Sequence, residues 1–175
     1  GALGQGGGVV LAKKAFMEQG EALLEGGIDL FIIETISSLD EMIMAVEAIK
    51  SISDLPIVAQ MSFTTEGTTF YGNTPVEIAY LLNHLEIDVI GANCSVGPQK
   101  MLEVVEQLSK GGVRYISAQP NAGMPKYFEG RFIYLTSADY FAQCARSFVE
   151  AGARIIGGCC GTRPEHIAAI VSAIK

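Results

Sequence analysis

The sequence contains no run of about eighteen apolar residues, so no membrane-spanning helix is expected. No signal-peptide pattern opens the chain, and no polybasic segment offers it to a membrane surface; a cytoplasmic setting is expected. Positive charge is scarce as well. Twelve Lys and Arg stand against nineteen Asp and Glu, a formal net charge of −7. The basic residues are scattered rather than striped, which argues against a nucleic-acid partner. No low-complexity linker divides the chain, the glycine-rich stretch at Gln5–Gly8 being too short for one. An initiating methionine is also missing: Gly1 comes first, as in a fragment or a processed product. Cysteines number four and histidines two. In an enzyme-like cytosolic composition, so few cysteines are expected as bound or free thiols rather than disulfides.

What remains is enough for one domain over residues 1–175. The chain is 49% hydrophobic and 18% charged, which supports a real core and excludes disorder. A first helix is predicted from about Val9 to Glu25, stopped by Gly26 and Gly27. After it, apolar β-rich runs at Asp29–Ile33, Ile57–Phe63, Asp88–Ala92, Val113–Ala118 and Arg154–Ile156 alternate with segments of helical period. The near-continuous runs DLFII and DVIGA predict strands buried on both faces of a parallel sheet. Three S/T-x-x-E boxes, beginning at Ser38, Thr74 and Thr162, follow strands and predict capped helix starts. Five successive βα units imply a doubly wound sheet or a (β/α)8 barrel. A barrel usually takes about 250 residues, so three units would precede this chain.

Ligands of such folds gather at the carboxyl ends of the strands. Cys94 stands at one such end, in GANCS, and the adjacent pair Cys159 and Cys160 at another, in RIIGGCC. The two places lie 65 residues apart, two βα units. Three thiolates converging on one point suit Zn²⁺ and leave its fourth position open. Adjacent Cβ atoms on a strand point to opposite faces, so the chain must leave strand geometry there; Gly157, Gly158 and Gly161 ease the departure. A vicinal disulfide, a redox thiol pair and simple packing are the alternatives. Cys144, inside the helical pattern DYFAQCARSF, is expected to be packed and inert. His84 is expected at a surface or cap, and His166 in helix structure. Met61 and Ser62 end a strand in QMSF, where they either line a pocket or simply pack. Glu34 closes the first strand; a carboxylate at a buried strand end needs a partner, either a substrate cation or a nearby Lys or Arg.

The words IIET (Ile32–Thr35), GANCSVGP (Gly91–Pro98), PNAG (Pro120–Gly123) and GGCCGTRPEHI (Gly157–Ile167), in that order over about residues 10–175, resemble the homocysteine S-methyltransferase family. The resemblance implies a (β/α)8 barrel of which this chain supplies strands four to eight, the N-terminal strands being absent. It implies a Zn²⁺ ion held by Cys94, Cys159 and Cys160, homocysteine as methyl acceptor and methionine as product. By resemblance, Glu34 recognises the homocysteine ammonium, and the Asn121 amide oxygen fills the fourth zinc position when homocysteine is absent. The segment after Cys94 opens a helix whose backbone N–H groups, from Ser95 onward, could meet the substrate carboxylate. A zinc-bound thiolate is the nucleophile, and no side chain is expected to act as a general base. Methylcobalamin, S-methylmethionine or betaine would serve as donor, with folate, cobalamin or reductase modules lying outside this chain. Two other readings stay open: a truncated half-barrel holding zinc structurally, and a thiol redox protein using Cys159 and Cys160.

Overall fold

Parallel strands must be joined by crossovers, and the chain makes four of them between neighbouring strands. A computed structural model describes residues 7–175. Helix α1 (Gly7–Glu25) leads into β1 (Phe31–Ile36), α2 (Leu39–Lys50), β2 (Ile57–Met61), α3 (Pro75–Asn83), β3 (Val89–Asn93), α4 (Pro98–Lys110) and β4 (Ile116–Gln119). A hairpin of β5 (Lys126–Phe128) and β6 (Arg131–Ile133) follows, then α5 (Ala138–Glu150), β7 (Ala153–Ile156) and α6 (Pro164–Ile174). The five-stranded sheet runs β1-β2-β3-β4-β7, every pair parallel. A doubly wound sheet reverses its order at a switch point. This sheet never does, so it has the order of an arc of a barrel.

The core lies between the sheet and its helices. Phe31, Met42, Met61, Phe63, Leu82 and Phe148 are among its largest buried side chains. A second, smaller cluster (Ala122, Phe141, Ala145 and Ile170) fastens α5 and α6 below the loop that follows β4. Helix ends follow local chemistry. Thr74 accepts from the Glu77 N–H at 3.3 Å, and Glu77 returns the bond by accepting from the Thr74 N–H at 2.8 Å, which holds the Glu77 carboxyl below its usual range. Ser38 accepts from the Glu41 N–H at 3.4 Å. Gly27, in the left-handed region at φ 78°, ends α1.

Four expectations are corrected. The DLFII run is not buried on both faces, because β1 is an edge strand and Ile32 is 51% exposed. The strict βα alternation is interrupted by the β5–β6 hairpin. The fourth strand begins at Ile116 rather than Val113. Thr162 does not cap the last helix. Pro164 starts α6 and Arg163 is its N-cap, with the Arg163 N–H donating to His166 Nδ1 at 3.1 Å. Gln5 and Gly6 of the glycine-rich stretch lie outside the described residues.

Candidate metal centre

Because the five strands are parallel, their carboxyl ends share one side of the sheet, and the loops leaving β3, β4 and β7 meet there. The β4 loop is the girder between the other two. Cys94 N–H donates to Gln119 O at 3.1 Å, and Asn121 N–H to Val96 O at 3.0 Å, which ties the β3 loop to it. Cys159 N–H donates to Pro120 O at 2.8 Å, and Ala122 N–H to Cys160 O at 2.8 Å, which ties the β7 loop. The Asn121 amide oxygen accepts from the Cys160 N–H at 3.1 Å. Every backbone group named here is therefore satisfied by a partner on a neighbouring loop.

This frame brings Cys94, Cys159 and Cys160 together, their sulfurs all within 4.8 Å of one another. The neighbours in sequence converge because β7 stops at Ile156, and the chain then turns, Thr162 N–H donating to Cys159 O at 3.1 Å. Gly161 takes φ 78°, and a Cβ there would strike the Tyr134 ring; at Gly158 a Cβ would strike Thr162. On the other side Cys94 and Ser95 are both left-handed, each at φ 58°. Non-glycine residues rarely adopt this region, and such strain collects at functional sites.

Tetrahedral zinc with Zn–S bonds of about 2.3 Å sets its sulfurs about 3.8 Å apart. Cys94 Sγ and Cys160 Sγ are 3.8 Å apart. The donor set and its spacing thus fit Zn²⁺. The electrostatics agree. Burial, then a hydrogen bond to Cys94 and the charges of Cys94 and Cys160, push the Cys159 thiol up to about 12. The crowded Cys159 thiol thus resists ionising without a cation, and a divalent ion would reverse that balance. Burial first, then the charge of Cys160 and a hydrogen bond to it, raises the Tyr134 hydroxyl as well.

Glu34 lies near the carboxyl end of β1, exposed rather than buried, and among the described residues no Lys or Arg pairs with it. The expected burial of that strand end is corrected: an edge strand leaves it open. Its carboxylate accepts from Asn93 Nδ2 at 3.2 Å. Met61 is fully buried in the core, and Ser62, 3% exposed, donates to Asn93 O at 3.1 Å. Ser95 is exposed beside Cys94. Cys144 packs against the core on α5, its thiol pushed up by burial. His84 is the exposed C-cap of α3. His166 is buried; accepting at Nδ1 from Arg163, it carries its proton on Nε2 and donates to Thr136 O at 2.9 Å.

Two residues at the centre escaped the sequence reading. Tyr134 stands at the end of an unforeseen hairpin. Asn93 lies inside a quoted motif, and its signal was available: a polar side chain at the end of an apolar strand, next to a candidate ligand.

A sequential parallel arc with a thiol cluster at its carboxyl ends defines a barrel-type protein whose three gathered thiols have the donor set for a metal ion. The profile of the homocysteine S-methyltransferase family matches residues 9–174, and the chain belongs to that family. It is 30% identical over 170 residues to the methionine synthase of Mycobacterium leprae (strain TN), covering 94% of this chain and 14% of that protein. The methionine synthase of Mycobacterium tuberculosis is likewise 30% identical, over 168 residues, covering 93% of this chain and 14% of that one. Among solved structures, the apo form of the Escherichia coli homocysteine methyltransferase MmuM superposes with a TM-score of 0.73 at 23% identity, covering 92% of this chain and 57% of MmuM. Its metallated form gives a TM-score of 0.73 at 23% identity, over 91% of this chain and 51% of that one. The five-strand arc therefore matches the fold of a TIM-barrel homocysteine methyltransferase over about half of that chain, and the chain spans 14% of the methionine synthases it matches. No described helix is long and apolar enough to cross a membrane.

Proposed function

We propose that this chain is a single partial barrel domain that binds Zn²⁺ through Cys94, Cys159 and Cys160 and homocysteine beside it, for methyl transfer to the homocysteine sulfur. The observation carrying this reading is the cluster of three sulfurs within 4.8 Å, at the strand ends of a chain of this family. Zinc bound there would hold the substrate sulfur as a thiolate at neutral pH, where a free thiol is mostly protonated.

The chain's own residues do the rest. Cys159 would give up its proton on becoming a ligand. Glu34, exposed and with no Lys or Arg paired to it among the described residues, receives the ammonium group. Ser95 and the start of α4 face the carboxylate with backbone donors, Gly97 serving as N-cap. Asn121, anchored on the Cys160 N–H, keeps one lone pair on its amide oxygen and would offer it to a bound metal in the absence of substrate. Met61 and Ser62 support the floor beneath. Cys160 is exposed, which leaves the sulfur centre open to a methyl donor from outside. The donor is methylcobalamin, S-methylmethionine or betaine, reaching this open sulfur from outside the chain.

Titrating homocysteine into the zinc-loaded protein while recording the zinc-edge spectrum tests the reading. One added sulfur neighbour, replacing a lighter oxygen or nitrogen ligand, is expected. An unchanged spectrum at saturating homocysteine would contradict it and favour a closed structural centre. That second reading has one observation behind it: among the described residues, both edges of the five-stranded sheet are unpaired.

A further inference from the structure

Asn93 is completely buried at the end of β3, immediately before Cys94. Its backbone is fixed by register with Gln119 across β4 and by the Ser62 hydroxyl on its carbonyl. Its side chain reaches sideways to two other strand ends. The amide oxygen accepts from the Thr35 N–H at 2.8 Å, while Nδ2 donates to Thr35 Oγ1 at 2.8 Å and to Glu34 Oε2 at 3.2 Å. The same nitrogen lies 4.0 Å from Cys159 Sγ. One amide thus touches the end of β1 and the first thiol after β7.

The two bonds to Thr35 form a ring that holds this residue at φ 63°. A β-branched residue resists the left-handed region, so the β1 end stays there only while something holds it. The sheet register itself breaks at this point, between Ile33 and Ile36. β1 is an edge with no neighbour on its outer side, so among the described residues the Asn93 amide is the fastening of the Glu34 carboxylate. Only an amide can do this. It needs an acceptor for the Thr35 N–H and two donors for an anion and a hydroxyl, a combination that neither Asp nor Leu of similar shape supplies.

We infer that Asn93 is the positioning residue that converts a thiol-binding centre into an amino-thiol site, by fixing Glu34 at a set distance from Cys159. This rests on the homocysteine reading above. A homocysteine molecule carries its ammonium and sulfur at opposite ends of a short chain, so its affinity depends on how well the carboxylate and the metal centre are spaced. A thiol lacking the amino group gains nothing from Glu34 and is indifferent to Asn93.

The test is calorimetric titration of homocysteine and of 4-mercaptobutanoate into zinc-loaded wild type, Glu34→Gln, Asn93→Ala and the double variant Asn93→Ala/Thr35→Gly. The double variant relieves the strain at position 35 and keeps the experiment informative if Asn93→Ala folds poorly. A lost hydrogen bond to a charged group corresponds to about tenfold in affinity. Asn93→Ala and the double variant are expected to bind homocysteine about tenfold more weakly, like Glu34→Gln, with 4-mercaptobutanoate affinity and zinc content unchanged. Retained homocysteine preference in the double variant, or an equal loss of both thiols, would overturn the inference and leave the proposed function standing. Wild type that binds neither thiol would overturn both.

Discussion

At the level of single residues, the three cysteines were legible because their chemistry is rare and their glycine neighbours unusual. Asn93 was not, because its importance depends on two strand ends that only the fold brings beside it. Thr162 misled for a related reason: a capping box names a sequence, but the turn through Gly161 delays the helix by one residue. The Cys159 thiol gives a pH prediction. Folded, it keeps its proton to about 12, against an ordinary value of 9.0. The folded state therefore binds that proton more tightly; its contribution is full below pH 9 and is lost as pH rises towards 12. In reduced, metal-free protein the denaturation midpoint should fall across that window, and Cys159→Ser should flatten the fall. Parallel curves for the two proteins would count against the crowded-thiol picture. Gly161→Ala places a Cβ against Tyr134 in a left-handed backbone, and should cost about 1–3 kcal/mol and weaken zinc binding. Thermal unfolding with and without zinc measures both effects.

At the level of elements, strands and helices were read from apolar runs, and the misses have physical causes. The β5–β6 hairpin joins Phe128 to Arg131 through Glu129 and Gly130, both at positive φ. Such two-residue turns favour Asn or Asp before Gly, so Glu hid the signal. The hairpin residues are nearly all exposed and lack the alternation that a half-buried strand shows. The caps can be tested against each other. Thr74→Ala removes a reciprocal capping box and should cost about 1 kcal/mol. Thr162→Val should change stability by less than about 0.5 kcal/mol, because the Thr162 hydroxyl is buried without a partner. Equal losses in urea denaturation would restore Thr162 as a cap.

At the level of the whole molecule, strand order carries the argument. The sequence left a doubly wound sheet and a barrel both open; the unreversed order β1-β2-β3-β4-β7 decides for the barrel arc. What the pattern of residues could not show is the condition of the edges. A strand read as doubly buried proves half exposed because, among the described residues, no strand pairs with the outer edge of β1, and Glu34 is exposed with it. The thiol cluster lies towards the other side of the sheet. Its three cysteines leave β3 and the second edge strand β7, and the loop that braces them leaves β4, so it does not depend on the β1 edge. The proposed function requires this arc by itself to hold one zinc ion through three thiols. Zinc content per chain, measured on reduced wild type and Cys94→Ser, tests it most directly. About one zinc in the wild type and almost none in the variant is the predicted result; full retention of zinc by Cys94→Ser would contradict it.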